Sequence, residues 1–244
     1  MRVTRVFVEA PLSTGAQLAL PAGPAGHVVR VLRLGPGDAL RLFNGTGGEF
    51  EATIDAVRRD AVSVRVGAHH AVERESPLSI LLLQGIARGE KMDLVLQKAT
   101  ELGASGFVPL MMARSTVRLD ERTALTRQQH WQAVVTSACE QCGRNTVPAV
   151  AAPTPFQKCL APAPGLRLLL SPGEGALPLA TVLARPPERV ELLVGPEGGF
   201  DPAETAAALA AGFQAARLGP RVLRTETAGL AALAALQTLA GDLR

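Results

Sequence analysis

Three short stretches of this 244-residue chain are almost wholly apolar: Ser79–Ile86 (SILLLQGI), Leu166–Ser171 (LRLLLS) and Val190–Val194 (VELLV). A strand with one wet face alternates apolar and polar side chains, whereas a strand covered on both faces reads as a continuous apolar run. These runs predict buried parallel strands, and a parallel sheet needs helices on its faces. The intervening sequence supplies them. Lys91–Leu102 places Met92, Val95, Leu96 and Ala99 at i, i+3, i+4 and i+7, one apolar helical face, and Gly103 is positioned to end it. Gly106–Met112 (GFVPLMM) reads as the next strand, so strand, helix and strand make a βαβ unit of an α/β fold.

Further helices are predicted downstream. Thr126–Cys142 carries Trp131, Val134, Val135 and Ala138 on one side. Asp201-Pro202-Ala203-Glu204 has the N-cap, N1 and N3 residues of a helix start. A short helix over Leu177–Leu183, a strand over Ala215–Leu218 and a final helix over Thr227–Leu239 complete the pattern. In that last helix Ala228, Ala231, Ala232 and Ala235 form a small-residue face suited to close packing, against a second subunit among other partners.

The first 75 residues have a different character. After RVFVEA and a short helix over Gly26–Leu34, the segments ALRLFNG, GEFEATID and AVSVRVGA read as strands, separated by turns at Gly35–Asp38, Asn44-Gly45 and Arg58–Asp60. Short strands at this spacing suggest a small barrel or sandwich. Glu73–Pro77 (ERESP) reads as a linker, which places the domains at 1–74 and 75–244.

Composition removes several function classes. Aromatic residues make up 3% of the chain, with one Trp and no Tyr, which argues against a base-stacking platform for single strands. A net charge of +3 leans weakly basic, and the cations are nearly all Arg, a residue suited to phosphate. The three Cys form no framework, which indicates a reducing compartment. No signal peptide or membrane-spanning stretch is legible, so a cytoplasmic location is expected. Adjacent His69 and His70 would point to opposite faces of a strand, and no metal site is expected. Cys139-Glu-Gln-Cys142 has the spacing of a redox pair but lies at a helix end, without the N-terminal dipole that activates such thiols.

The chemistry concentrates in two loops, LLVGPEGGF (Leu192–Phe200) and RLGPRVLRTET (Arg217–Thr227). Each follows an apolar strand and precedes a helix, the place where ligands bind in an open α/β sheet. Neither contains a Cys or Ser nucleophile, a carboxylate pair or a metal set, so the reactive group would arrive with a cofactor. Arg88, Lys91 and Lys98 gather at another strand-to-helix turn, where phosphate contact and a merely solvated helix face are both open. GIARGEKM there lacks any nucleotide-binding glycine spacing.

In this order and separation the two loops resemble the paired C-terminal signature of SPOUT-class 16S ribosomal RNA (uridine-N3) methyltransferases. RGEKMDLVLQKATELG and ACEQCGRN resemble that family's middle motifs, and HVVRVLRLGPGD with the strands after it resembles its N-terminal PUA-like barrel. The resemblance implies a C-terminal domain with a mostly parallel sheet and a deep trefoil knot from about Val190 onward. It also implies S-adenosylmethionine as cofactor, 16S rRNA or the assembled small subunit as substrate, and a homodimer built on the last helix. By match, Leu170, Gly195, Pro196, Glu197, Gly198, Gly199, Leu218, Gly219, Val222, Leu223, Arg224 and Thr227 would bind the cofactor. Arg221 and Arg224 would stabilise a uracil anion, and Glu226 or Glu197 would take the proton, with Glu197 better suited to a structural role. Arg88, Lys91, Lys98, Arg114 and Arg144 are the RNA-contact candidates. Two positions depart from the family pattern: Ala228-Gly229 follow the RTET motif, and Ser171 stands where a His or another polar residue occurs. A transfer-RNA substrate and a non-catalytic RNA-binding protein with a vestigial pocket are the alternatives.

Overall fold

The structure is a computed structural model that describes residues 3–59, 61–183 and 185–243. The chain divides into two compact units, Met1–Glu75 with Cys139–Val147, and Ser76–Ala138 with Pro148–Arg244. Hydropathy carries no sign that Cys139–Val147, the end of a long helix and the turn after it, belongs with the first.

In the first unit, strands β1 (Thr4–Phe7), β2 (Gln17–Ala19), β3 (Ala39–Phe43), β4 (Glu49–Arg58) and β5 (Ala61–His70) form one sheet in the order β1-β3-β4-β5-β2. The β1–β3 pairing is parallel and the others antiparallel. Period-2 alternation sends Val62, Val64 and Val66 of β5 into the core with Leu40, Leu42 and Ile54. Strand β2 has no counterpart in the sequence reading because three residues, QLA, are too few to show an alternation. The short helix begins and ends earlier than expected: α1 (Ala22–Gly26) runs into a π-helical turn over His27–Val31. Arg33, at φ 56, sits in the left-handed region just beyond it and prevents extension to Leu34. Of the turn expected at Arg58–Asp60, Asp60 lies outside the described residues.

Polar contacts bind Cys139–Val147 into this unit. The Arg5 guanidinium pairs with Glu49 and donates to Arg144 O and Asn145 Oδ1, both at 2.8 Å. Phe7 N donates to Glu140 Oε1 at 2.9 Å. Burial pushes the Glu140 carboxyl above its ordinary range, and the Phe7 hydrogen bond opposes that shift. The supposed linker takes part too: Gly48 N donates to Glu73, Arg74 Nη1 donates to Gly143 O at 2.9 Å, and Arg144 Nε donates to Glu75 Oε1 at 3.1 Å. Arg144, expected as an RNA contact, has a side chain that is 6% exposed and paired with Glu75.

The second unit carries the parallel sheet. Its strands are β6 (Ser79–Gly85), β7 (Ala104–Met111), β8 (Ala149–Val150), β9 (Thr154–Pro155), β10 (Leu166–Leu170), β11 (Leu177–Pro178), β12 (Arg189–Val194) and β13 (Gln214–Arg217). They lie in the order β11-β13-β10-β12-β6-β7-β8, with β9 also on β7, and all of these pairings are parallel. The three apolar runs are adjacent in space as β10, β12 and β6. Leu83, Leu169 and Leu193 enter one core with Phe156, Ala208 and Phe213, while their neighbours Leu82, Leu168 and Leu192 are equally buried. Burial on both faces is what their continuous hydrophobicity anticipated.

The helices are α2 (Glu90–Glu101), α3 (Glu121–Cys142), α4 (Leu179–Val182), α5 (Pro202–Ala210) and α6 (Thr225–Ala240). The expected cap of α5 is present: Ala203 N donates to Asp201 Oδ1 at 2.9 Å and Asp201 N to Glu204 Oε2 at 3.0 Å. Helix α6 packs on α2, β6 and β12. Close packing does not account for Gly229, the first departure from the family pattern: a Cβ there would lie 3.4 Å from Gln84 Oε1 and 3.6 Å from Val194 Cγ2, ordinary contact distances. Among the described residues, no helix is long and apolar enough to cross a membrane.

One charged pair is buried inside the sheet. Arg167 of β10 is the register partner of Glu191 of β12, and its Nε donates to Glu191 Oε2 at 2.8 Å. Arg167 Nη1 also donates to Ala211 O at 2.8 Å, and the guanidinium lies 4.0 Å from the centre of the Phe213 ring.

Candidate active site

Strands β6 and β12 are register neighbours whose pairing ends at Gln84 and Val194. The loop Gly195–Phe200 leaves β12 and crosses the end of β6 at Gly85. A Cβ on Gly85 would lie 2.6 Å from Pro196 N and 2.9 Å from Met112 Sδ, so the crossing requires glycine. The loop closes on itself through Gly199 N, which donates to Pro196 O at 2.9 Å with Gly199 at φ 69. The second loop, Leu218–Arg224, leaves β13 and enters α6. Thr225, in the first turn of α6, ties the two loops together. Its hydroxyl donates to Gly195 O at 2.6 Å and accepts from Gln84 Nε2 at 2.9 Å, all in a buried setting.

Between these loops lies a cavity of about 610 Å³. Leu170, Ser171 and Pro172 at the end of β10 form one wall, and Gly195, Pro196, Glu197, Gly199 and Phe200 another. Leu218, Gly219, Arg221, Val222, Leu223 and Arg224 form a third, and Thr225, Glu226 and Ala228 of α6 the floor. Lys91 reaches it from α2. The size and the mixed apolar and backbone-rich lining suit a cofactor-sized ligand.

Most of the residues matched to cofactor binding line this cavity; Gly198 and Thr227 do not. Gly198 buttresses the loop against the chain at Arg114, where a Cβ would come 2.8 Å from Arg114 O. Thr227 is exposed, and its N–H is used by Arg224 O at 2.9 Å. The buried threonine of the RTET motif is Thr225, which motif matching passed over. Its signal was a small hydroxyl residue at a helix start, a group able to bond a neighbouring backbone. Ser171, left without a role from sequence, lines the cavity; its Oγ accepts from Gly173 N at 3.2 Å.

Arg221, Arg224 and Glu226 all line the cavity, with both arginines exposed at its rim. Glu226 is mostly buried, and among the described residues its Oε2 has no hydrogen-bond partner. Glu197 differs, since its Oε1 accepts from Arg88 N at 2.9 Å and so joins the first loop to the turn before α2. Of the RNA-contact candidates, Arg88 is exposed beside that bond, and Arg114 is exposed with Nη2 3.7 Å from Asp201 Oδ2. Lys98 is paired with Glu101 at 2.8 Å, an ordinary i,i+3 contact on a helix face. Lys91 faces the cavity.

Both CxxC cysteines, Cys139 and Cys142, fall within the segment built into the first unit, as free thiols. Burial pushes the Cys139 thiol up to about 12, opposite to the shift that activates a redox cysteine. Burial likewise pushes Cys159 up to about 11.

Comparison with known proteins gives this geometry a lineage. A family model for an RNA methyltransferase domain matches residues 74–237, and one for an RNA methyltransferase PUA domain matches residues 25–67. The ribosomal RNA small subunit methyltransferase E of Bacillus subtilis is 33% identical over 228 residues, covering 88% of this chain and 89% of the relative. That of Buchnera aphidicola from Acyrthosiphon pisum is 30% identical, covering 100% of this chain and 96% of the relative. This chain belongs to the ribosomal RNA small subunit methyltransferase E family. Solved relatives cover it from end to end. The Neisseria gonorrhoeae ribosomal RNA small subunit methyltransferase E, bound to S-adenosyl methionine, superposes with a TM-score of 0.94 at 38% identity, covering 100% of both chains. A putative methyltransferase of Legionella pneumophila, in complex with the same cofactor, superposes with a TM-score of 0.96 at 39% identity, again covering 100% of both chains. Membership of the methyltransferase E family makes the chain an enzyme of the methyltransferase class, and its N-terminal sheet corresponds to the PUA domain of that family.

Proposed function

We propose that this chain binds S-adenosylmethionine between its two Gly-Pro loops and methylates N3 of a uridine in 16S rRNA, either free or within the small subunit. The observation that carries this reading is a cofactor-sized cavity lined by two exposed arginines and by Glu226, whose Oε2 is buried without a hydrogen-bond partner among the described residues. The cofactor carried by the Neisseria and Legionella relatives supports the choice of ligand. When bound, that cofactor supplies an electrophilic methyl group on sulfur.

The chain's own residues divide the remaining work. Leu170, Leu218 and Leu223 offer apolar contact, and the backbone at Gly195, Gly199 and Gly219 can approach a ligand closely. A uridine N3–H is weakly acidic, so the site must accept its proton and stabilise the uracil anion. Arg221 and Arg224 carry the charge that meets the anion, and Glu226 takes the proton. Glu197 is structural, because its oxygen already holds the turn at Arg88. Arg88 and Arg114, exposed beside the first loop, contact the RNA backbone together with the N-terminal domain. The target base leaves its stack to reach the cavity.

The domain division at residue 74, the trefoil knot, the homodimer and the cytoplasmic location belong to the same proposal. Support for the knot is that β13 lies between β10 and β11 while α6, after the second loop, returns to pack on β6 and β12. Support for the dimer is that Ala231 and Ala235 are half-exposed and Leu239 is exposed on one side of α6, whereas Ala232 is already buried within the chain. Sedimentation analysis reads the mass directly.

The test is transfer of labelled methyl groups to purified 16S rRNA, small subunits and transfer RNA. Label recovered as 3-methyluridine from 16S rRNA is expected. Label in transfer RNA alone assigns a different substrate. Tight S-adenosylhomocysteine binding with transfer to none of them leaves an RNA-binding protein with a vestigial pocket. Arg224→Ala should lower the single-turnover rate by ~10²–10³, and a parental rate would refute its role in stabilising charge.

A further inference from the structure

One apolar side chain of the cavity differs from the rest in its exposure. Leu170 and Val194 are buried, and Phe200, Leu218 and Leu223 are half-buried, as the walls of a ligand pocket are. Val222 lines the same cavity yet is 78% exposed, the most exposed large apolar side chain among the described residues. It sits in the loop between β13 and α6, with Arg221 before it and Arg224 two positions after it. Both arginines are exposed, and neither has an ion-pair partner among the described residues. The rim of the cavity therefore presents one aliphatic group between two guanidinium groups that lack a counter-charge.

Resting on the methyl-transfer reading above, we propose that Val222 is an RNA contact, an aliphatic wedge that packs against the bases left behind when the target uridine turns into the cavity. A base that leaves its stack exposes the flat faces of its neighbours to water. An apolar side chain in the gap covers those faces and opposes the base's return. Charge makes the occupant RNA and not a second copy of this chain: the flanking arginines lack an anion, and a polyphosphate backbone supplies one. Composition accounts for an aliphatic residue in this role. The chain has no Tyr, and its one Trp, Trp131, is 2% exposed, so neither offers a stacking ring at the cavity. Aliphatic packing carries no donor or acceptor code, so Val222 governs base extrusion and RNA affinity and not which base is chosen.

The test uses the full-length protein with Val222→Ser and, as the conservative variant, Val222→Ile. Affinity for 16S rRNA should fall about tenfold in Val222→Ser, the worth of one buried aliphatic side chain, and Val222→Ile should restore it. The spectroscopic readout is a 16S rRNA fragment that accepts label, with 2-aminopurine beside the methylated uridine. Its fluorescence should rise as the parent opens the stack, rise much less with Val222→Ser, and recover with Val222→Ile. Single-turnover rates at saturating RNA should follow the same order. An abasic residue in place of the neighbouring base should remove the difference between Val222→Ser and the parent, a convergence that a merely structural role would not produce. Parental RNA affinity and parental fluorescence in Val222→Ser would overturn the proposal. Weaker S-adenosylhomocysteine binding in calorimetry, with the RNA fluorescence unchanged, would make Val222 a wall of the cofactor site and overturn it. A lower mass on sedimentation would make it a subunit contact and overturn it equally. Absence of transfer by the parent to any RNA would instead reject the methyl-transfer reading, and the affinity of Val222→Ser for 16S rRNA would still decide whether the valine touches RNA.

Discussion

The hydroxyl of Thr225 donates to the carbonyl of Gly195 across 2.6 Å, joining two loops that lie thirty residues apart in the chain. Because the same oxygen accepts from Gln84 Nε2, the end of β6, the first loop and the start of α6 share one buried hydrogen-bonded point. Thr225→Val preserves the shape but leaves Gln84 Nε2 and Gly195 O each one bond short. The expected cost is about 1–3 kcal/mol, read as a lower urea midpoint, together with weaker S-adenosylhomocysteine binding. Thr225→Ser should restore both.

Two glycines near this point should respond oppositely to alanine. Gly85→Ala places a Cβ 2.6 Å from Pro196 N, a backbone atom that cannot swing aside. Overpacking of this kind costs roughly 1–3 kcal/mol, and cofactor affinity should fall as the first loop shifts. Gly229→Ala meets its nearest atom at 3.4 Å and removes a glycine from the interior of α6. It should be neutral, or stabilising by up to about 1 kcal/mol through helix propensity. Thermal denaturation of the two variants checks the contrast.

The buried Arg167–Glu191 pair gives a third test. Arg167→Met leaves the Glu191 carboxylate buried between strands without its partner, and the expected loss is about 3–5 kcal/mol. The double variant Arg167→Met, Glu191→Leu removes both charges and should recover most of that loss. A double variant no more stable than the single one would show that Arg167 matters mainly through its bond to Ala211 O and its contact with Phe213.

Cys139 links stability to alkaline pH. Its folded thiol, pushed up to about 12 by burial, lies above the unfolded value of 9.0. A raised value means that the unfolded chain loses the proton first. The contribution is therefore complete below pH 9 and declines as pH rises from there toward 12. The stability difference between the parent and Cys139→Ala, measured in urea, should narrow over that window. At pH 8 the native Cys139 should resist a thiol reagent that labels the unfolded chain.

Much of the second unit was legible because its signals are local. The runs SILLLQGI, LRLLLS and VELLV are apolar without alternation, and they became neighbouring strands buried on both faces. Asp201-Pro202-Ala203-Glu204 carries a complete cap within four residues, and α5 starts there. The short strand β2 and the union of Cys139–Val147 with the first unit were not legible. One has too few residues to show a period, and the other depends on hydrogen bonds from Arg5 and Phe7 to residues more than 130 positions away.

The sequence by itself determined the parallel α/β class, the two Gly-Pro loops as the seat of chemistry, and the residues available there, since glycine spacing, caps and hydrophobic runs act over a few residues. Only the tertiary structure decided which of those residues share a site. It moved Arg144 into a buried pair with Glu75 and turned Lys91 toward Glu226. It also made Thr225, not Thr227, the residue that binds the loops together. The reason is physical: a charge or hydroxyl can pair with whatever the fold brings within about 3 Å, and for these side chains the partner lies far away in the chain.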